Sequence, residues 1–276
     1  MKFLAPIAFL VMTSSTIANP FFAYSFGFPE MSATEQVDFL SSTGYDGIAA
    51  DVWSDEQLTE FREMMQTVQV RSGAFKVFGV YFPYKFNNLE HRRLVSEVLK
   101  ASQSQKVPLW LAIGNEEASE EKIIELLRSV CDEAATYGIE VIYYPHDRHF
   151  ILSVEPSIRI IKTANRQNLS TSIQLNHELR AGNQDRLEEV IKATVDQSSL
   201  ATISGALDLE TFNTGSRDWS DVIQPLAKSP YDVKPFVDLL RKHGYKGPIG
   251  LQNFKINGNV KAHHRAAIEV WKSWQD

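Results

Sequence analysis

The 276-residue sequence lacks several features that would point to a partner or a means of stabilisation. It has a single cysteine, Cys131, so no internal disulfide can form and stability must come from packing. It has no run of basic residues and a formal net charge of −6, which argues against a groove for a phosphate backbone. We therefore expect no nucleic-acid partner.

The sequence motifs of several common enzyme classes are also missing. There is no GxGxxG, GxSxG, P-loop, HExxH or CxxC pattern, so nothing indicates a dinucleotide enzyme, a serine hydrolase, a phosphotransferase or a zinc protease. Glu116 and Glu117 are adjacent acids, but a glycosidase needs two carboxyl groups that flank one bond. The second would have to be Asp208 or Glu210, which makes this interpretation weak.

The apolar run near the start of the chain, "FLAPIAFLVM" at 3–12, is too short to cross a bilayer, which needs about 20 residues. It follows Lys2 and precedes the small residues "TIA" at 16–18, a pattern typical of a secretory signal peptide. We therefore expect a signal peptide at 1–18, a mature domain at 19–276, a periplasmic or extracellular location and no stable membrane span.

What the sequence does contain is a regular alternation of two patterns. Apolar runs suited to strands are separated by stretches with helical spacing, in units of about 30 residues. Such strands pair in parallel, because a helical crossover returns the chain to the same edge. Eight units predict a single (β/α)8 TIM barrel, with a doubly wound open sheet as the alternative. The runs are centred near Phe22, Ile48, Val77, Leu109, Ile142, Ile173, Ile203 and Gly250.

Two histidines follow neighbouring predicted strands. His146 comes after the fifth strand and His177 after the sixth, and the carboxyl ends of barrel strands converge on one cavity. Imidazole suits proton transfer near neutral pH, so we predict that this pair acts as base and acid on opposite faces of a small substrate, with Asp208 orienting one ring. In contrast, we expect His263 and His264 on a solvated face of the last helix.

Neutral hydrogen-bonding side chains also cluster at the predicted strand ends. Sugars need such a lining, because their hydroxyls require donors and acceptors while their C–H faces stack on aromatic rings. We therefore expect a small carbohydrate as the ligand. The residues predicted to bind it are Tyr81, Tyr144, Gln174, Asn176 and Gln252.

The second half of the chain resembles a known family. The segments that carry the likeness are "YGIEVIYYPHDR" at 137–148, "NLSTSIQLNHELRAGN" at 168–183, "ATISGALD" at 201–208 and "GYKGPIGLQNF" at 244–254. They resemble the xylose isomerase-like TIM barrels, a group of sugar isomerases and epimerases that also includes endonuclease IV. The resemblance implies the same barrel and proton transfer next to a sugar carbonyl.

The resemblance also implies a divalent metal, which this sequence does not readily accommodate. Members that use a metal typically hold it with Glu, Asp, His and Glu from strands five to eight, whereas the matching positions here are Tyr144, Gln174, Ser204 and Gln252. Neutral side chains suit a hard cation poorly. We favour loss of the metal. The alternative is an ion (Mn, Mg or Zn) that has moved onto His146, His177 and Asp208, with Glu178.

These observations predict an exported sugar isomerase or epimerase, or a lyase, that moves a proton next to a carbonyl. The alternative is a carbohydrate-binding protein on a retired enzyme scaffold, because the usual metal ligands are replaced. A repair enzyme like endonuclease IV is opposed by the acidic charge and by the export signal. The sequence specifies neither the sugar nor the oligomeric state.

Overall fold

Eight parallel strands close into a barrel in the computed structural model, which describes residues 19–28, 30–71, 73–208, 210–211 and 218–275. Seven strands follow one another around the ring, and the last strand closes it between the seventh and the first. The predicted (β/α)8 TIM barrel is confirmed, with a strand at each predicted centre. The barrel strands are β1 (Phe21–Tyr24), β2 (Gly47–Asp51), β3 (Lys76–Tyr84), β4 (Leu109–Ile113), β5 (Val141–Tyr143), β6 (Leu169–Gln174), β7 (Ser198–Ile203) and β10 (Ile249–Leu251).

A short antiparallel pair, β8 (Gly205–Ala206) and β9 (Ile223–Gln224), lies outside the barrel. The sequence pattern did not predict it, because two-residue strands have no measurable period. Only Ser204 separates β7 from β8, so the pair lies at the carboxyl end of the barrel.

The strands are buried on both faces, as parallel strands covered by helices must be. Along β1, Phe22 and Tyr24 belong to the cluster inside the barrel, while Phe21 and Ala23 belong to the layer between strands and helices. The interior has no room to spare, since a Cβ on Gly250 would collide with the Phe22 ring. The interior cluster consists of Phe22, Tyr24, Ala49, Trp110, Ala112, Ile142, Tyr144 and Leu200.

The outer helices begin and end at residues that satisfy their free backbone groups. The Ser119 side chain accepts a hydrogen bond from the Lys122 N–H at one helix start. Gly44, Gly138 and Gly244 follow helices with φ of 104°, 67° and 90°, the left-handed region that favours glycine. The helices are α1 (Ala33–Thr43), α2 (Asp55–Val70), α3 (Glu90–Ser102), α4 (Glu120–Thr136), α5 (Val154–Ala164), α6 (Leu175–Arg180), α7 (Leu187–Thr194), α8 (Trp219–Val222), α9 (Lys234–Lys242) and α10 (Val260–Ser273).

Helix α6 starts directly where β6 ends, and the sequence did not predict it. The Gln174 side chain accepts a hydrogen bond from the His177 N–H over 2.6 Å and so caps this helix. The residues predicted to lie on a loop after β6 therefore lie on a helical turn. This fixes the direction in which His177 points.

Residues 1–18 lie outside the described part of the chain, so the signal peptide and the domain boundary stay predictions. Within the described part, no helix combines the length and the apolar character that a bilayer crossing requires.

Candidate active site

A cavity of about 310 Å3 opens at the carboxyl ends of the barrel strands. Its volume is at the lower end of the range of about 300–1,000 Å3 that is typical of small-molecule sites. Much of its wall is aromatic, which suits the apolar faces of a small organic ligand. The aromatic residues of the wall are Tyr24, Phe26, Trp53, Tyr81, Tyr144, Trp219 and Phe254.

Three histidine rings lie together at one side of this cavity. The ring centroids of His146 and His177 are 4.4 Å apart, and those of His146 and His149 are 4.5 Å apart. His146 and His149 line the cavity, whereas His177 lies behind them and is 1% exposed. Rings in contact leave no room for a substrate between them, so the predicted action from opposite faces does not fit this geometry.

The backbone of one residue, Asp147, orients all three rings. Its carbonyl oxygen accepts hydrogen bonds from Nδ1 of His146 over 2.7 Å and from Nδ1 of His149 over 3.0 Å. Its N–H donates to Nδ1 of His177 over 3.4 Å. A carbonyl only accepts and an amide N–H only donates, which fixes the neutral tautomers. His146 and His149 therefore carry the lone pair on Nε2, whereas His177 carries its hydrogen there.

Burial keeps these histidines neutral. It lowers the pKa of His146 to about 3, and the neighbouring His149 and the Arg180 cation act in the same direction. Burial, with His146, His149 and Arg180 nearby, also lowers the pKa of His177 well below its ordinary value. Nε2 of His146 is consequently an unprotonated base throughout the neutral pH range.

Tyr144 connects the histidines to the cavity. Its hydroxyl lies 3.2 Å from Nε2 of His177, which is the donor in the tautomer set by Asp147. The ring stacks on Trp110 at 4.4 Å, and burial, reinforced by Tyr81, raises the pKa of the phenol. The phenol therefore stays protonated, and its own O–H is directed to an acceptor other than His177.

The other predicted sugar-binding residues divide into two groups. Tyr81 and Gln252 line the cavity, and the Tyr81 ring stacks on His146 with centroids 6.2 Å apart. Gln174 caps α6, and the Asn176 amide donates to the Ser204 hydroxyl over 2.6 Å. Neither Gln174 nor Asn176 is among the residues that line the cavity. Oε1 of Gln174 and the Asn176 amide are engaged within the protein, whereas Nε2 of Gln174 has no partner among the described residues.

Asp208 does not contact the histidines in the described part of the structure. It is exposed, and its carboxylate accepts hydrogen bonds from the N–H and the hydroxyl of Thr211. These bonds hold its pKa below the ordinary value. The structure therefore does not bring Asp208 to the histidines, which the Asp147 backbone orients instead.

The four positions that correspond to the family's metal ligands do not suit a divalent cation. Tyr144, Gln174, Ser204 and Gln252 provide no carboxylate and no imidazole, and the phenol stays protonated. The relocated site does not form either. Glu178 points elsewhere, accepting from the Val154 N–H over 2.8 Å and from the Asn183 amide over 2.6 Å. Among the described residues, no three His, Cys, Asp or Glu side chains converge in a way that could hold a metal.

Sequence reasoning missed the residues that cover the histidines. The guanidinium of Arg180 lies 4.3 Å above the Trp219 ring, and the Trp219 and His177 rings meet edge to face with their centroids 5.1 Å apart. Arg180 also approaches the Asp147 carboxylate, with Nη1 and Oδ2 3.5 Å apart. Trp219 lies far from Arg180 in the sequence, so no sequence pattern indicates this contact.

Solved structures with similar folds include sugar epimerases. A 3-keto-D-glucoside 4-epimerase from E. coli superposes with a TM-score of 0.70 at 15% identity over 92% of this chain and 99% of that one. A D-psicose 3-epimerase from Clostridium cellulolyticum H10, determined with D-tagatose, gives 0.69 at 12% identity over 93% and 99%. The zinc-bound IolI protein gives 0.73 at 14% identity over 92% and 97%.

At these identities the likeness shows the fold alone. No curated protein matches the sequence. Residues 37–274, however, match the sequence family described as xylose isomerase-like TIM barrel. The match covers most of the chain and includes every strand except β1. The chain therefore belongs to the xylose isomerase-like TIM barrel family.

Proposed function

We propose that this protein is a sugar isomerase or epimerase, or a lyase, that removes a proton from a carbon next to a carbonyl. The observation that carries the proposal is the tautomer of His146. Its Nδ1–H is held by the Asp147 carbonyl, and its Nε2 lone pair belongs to a ring that lines the cavity. A positioned imidazole of this kind typically contributes about 100- to 10,000-fold to proton transfer.

Tyr144 supplies the second element of the mechanism. When His146 removes the proton, negative charge develops on the carbonyl oxygen of the substrate. The hydroxyl of Tyr144 lines the same cavity and accepts from His177, so its own hydrogen can be donated to that oxygen. His177 is in this mechanism a positioning residue. No step requires a metal ligand from this chain.

The wall of the cavity supports a carbohydrate as substrate. Trp53 lines the cavity and is 42% exposed, so its indole is accessible to a sugar ring. Two of the structurally similar proteins are epimerases of a keto-glucoside and of a ketose. The shared fold and the aromatic wall favour the same class of substrate here.

The test is hydrogen exchange in D2O. A panel of ketoses, aldoses and keto-glycosides is incubated with the protein, and NMR measures deuterium uptake at the carbon next to the carbonyl. His146→Asn keeps a donor for the Asp147 carbonyl but removes the base, so exchange should fall at least about 100-fold. The wild-type rate should show no acid limb near pH 6.5, because the pKa of His146 is about 3.

His263→Asn serves as the control, since His263 lies on α10 and bonds to the Asn257 carbonyl. Its exchange rate should equal that of the wild type. An exchange rate that is unaffected by His146→Asn would contradict the assignment of the base. Failure of every sugar in the panel to exchange would contradict the reaction.

A carbohydrate-binding protein without catalysis is the second candidate. The replacement of all four usual metal ligands by neutral side chains favours it. Calorimetric binding of a sugar that NMR afterwards recovers chemically unchanged, without deuterium, would support it over the enzyme.

We also propose that the protein is exported, with residues 1–18 removed. The pattern of Lys2, the apolar run and the small residues at 16–18 supports this proposal. N-terminal sequencing of the mature protein from a bacterial host should give Asn19 as the first residue. An N-terminus at Met1 on protein from the cytoplasm would contradict it.

A further inference from the structure

Four buried polar atoms near the base of the cavity have no partner at normal hydrogen-bond distance among the described residues, although the Tyr24 hydroxyl also interacts at longer range with Thr202 and Tyr144. All four residues are at most 7% exposed. A buried polar group left unpaired typically destabilises a protein by about 1–3 kcal/mol, so a cluster of four calls for a physical reason. The atoms are the Tyr24 hydroxyl, Nε2 of Gln174, the Thr202 hydroxyl and Oε1 of Gln252.

These four residues, which we call the polar floor, lie on adjacent strands at the carboxyl end of the barrel. Gln174 pairs in register with Thr202, and Thr202 pairs with Gly250, two residues before Gln252. Tyr24 is the last residue of β1. Strand β10 lies between β1 and β7. Tyr24 and Gln252 line the cavity directly. The unpaired atoms therefore lie at the base of the cavity, where one end of a bound ligand would lie.

The polar floor offers both hydrogen-bonding functions and no charge. Nε2 of Gln174 only donates, Oε1 of Gln252 only accepts, and the two hydroxyls do either. The cations that line the cavity in the described structure are Arg148 and Lys255, and both are exposed at its mouth. A charged group would lose its hydration at the floor without gaining a counter-ion.

We propose that the polar floor is a binding subsite for an uncharged, hydroxyl-bearing end of the ligand, that is, an unphosphorylated polyol segment. Gln174 and Gln252 occupy two positions where the family's metal ligands would lie. Direct hydrogen bonds to ligand hydroxyls thus take the place of an ion at the base of this cavity. The inference rests on the proposed function only in taking the ligand to be a sugar.

The experiment measures binding without turnover. Xylitol and sorbitol carry the hydroxyls of a sugar but no carbonyl, so calorimetry on the full chain reports the polar floor alone. Both should bind saturably to the wild type. Tyr24→Phe and Gln252→Leu should each weaken binding about five- to tenfold, the effect of one neutral hydrogen bond. Inorganic phosphate at the same concentration should not displace either alditol.

Tyr245→Phe is the matched control, because its hydroxyl donates to the Pro248 carbonyl at the opposite end of the barrel. It should bind the alditols as the wild type does. Thermal unfolding of the ligand-free proteins provides a second readout. Tyr24→Phe removes an unpaired hydroxyl and should not lower the melting temperature, whereas a hydroxyl with a structural partner would do so.

Three results would overturn the proposal. They are no saturable binding of either alditol, binding that survives both substitutions, and displacement by phosphate. The outcome is separate from that of the exchange experiment. Alditol binding that depends on Tyr24 and Gln252, without proton exchange on any sugar, would retain the subsite and reject the enzyme. Proton exchange on a sugar, without alditol binding that depends on Tyr24 and Gln252, would retain the enzyme and reject the subsite.

Discussion

Two histidines, the partly buried His146 and the fully buried His264, differ in how their ring nitrogens are used. Burial lowers the pKa of both to about 3. His264 uses both ring nitrogens inside the protein: Nε2 accepts from the Asn253 amide over 2.9 Å, and Nδ1 lies 3.1 Å from the Tyr45 hydroxyl. His146 hydrogen-bonds within the protein only through Nδ1 among the described residues, and its ring lines the cavity.

The difference shows that a shifted pKa does not by itself identify a reactive group. Both histidines have the same shift for the same reason, yet only one has a lone pair beside a space that a substrate can enter. His264 stacks on Phe28 at 4.4 Å and is fully enclosed. Its hydrogen bond to Asn253 links α10 to the loop that carries Phe254 into the cavity wall.

The largest expected effect concerns the enclosed histidine. His264→Leu leaves the buried Asn253 amide without its acceptor, removes the ring contact of the Tyr45 hydroxyl and disturbs a fully enclosed site, so the free energy of unfolding should fall by about 3 kcal/mol. Urea denaturation measures this loss. His263→Leu, next to it on a more exposed side of α10, should cost well under 1 kcal/mol. Equal losses in the two variants would remove the distinction between the two regions.

Substitutions beside the cavity should instead change the rate of the exchange reaction. Tyr144→Phe removes the hydroxyl that His177 orients, and kcat for the exchange reaction should fall about 30-fold, or about 2 kcal/mol in the barrier, with little change in KM. Tyr143→Phe is the control, because Tyr143 belongs to the layer outside the barrel. A larger change in KM than in kcat would assign Tyr144 to binding alone.

Acid should destabilise both regions to a similar extent. Each histidine has a folded pKa of about 3 and an unfolded pKa near 6.5, so the unfolded state takes up the proton first. The free energy of unfolding should therefore decrease as the pH falls below about 6.5, by roughly 1.4 kcal/mol per pH unit for each histidine. In His264→Gln the slope between pH 6 and pH 5 should be smaller by that amount. An unchanged slope would show that His264 is already protonated or exposed.

Glu178 should give the smallest effect, with the opposite sign. Burial raises the pKa of its carboxyl to about 7, so its folded state holds the proton more tightly than the unfolded state. Stability from this group is present below its ordinary pKa and is lost as the pH rises towards 7. Relative to the wild type, Glu178→Gln should gain about 1 kcal/mol between pH 5 and pH 6. A constant difference across that range would contradict the raised pKa.

The barrel could be predicted from the sequence because its signals repeat. Eight apolar runs, the intervening helical patterns and the glycines at 44, 138 and 244 all depend on local chemistry that a sequence displays directly. The same reasoning placed His146 and His177 at neighbouring strand ends, and the structure brings them together. It failed for His264, since a histidine pair on an amphipathic helix does not show which member points inward.

The contacts that orient and cover the histidines could not be predicted from the sequence, for two reasons. Asp147 acts through its backbone, and backbone groups are the same at every position that is not proline. Trp219 and Arg180 meet through the folded loops, with no sequence period that relates them. Asp208 follows β7 in the sequence, but its carboxylate is already engaged by the Thr211 backbone and hydroxyl.

The use of the Asp147 peptide groups to orient three imidazoles has a consequence for mutagenesis. Replacing Asp147 with alanine would remove the carboxylate near Arg180 but leave the carbonyl and amide of residue 147 in place, so an alanine scan would not report their role. Proline would remove the amide hydrogen, and a one-residue deletion in this loop would shift both groups. The most informative changes in this protein are therefore alterations of its main chain, which conventional scanning does not sample.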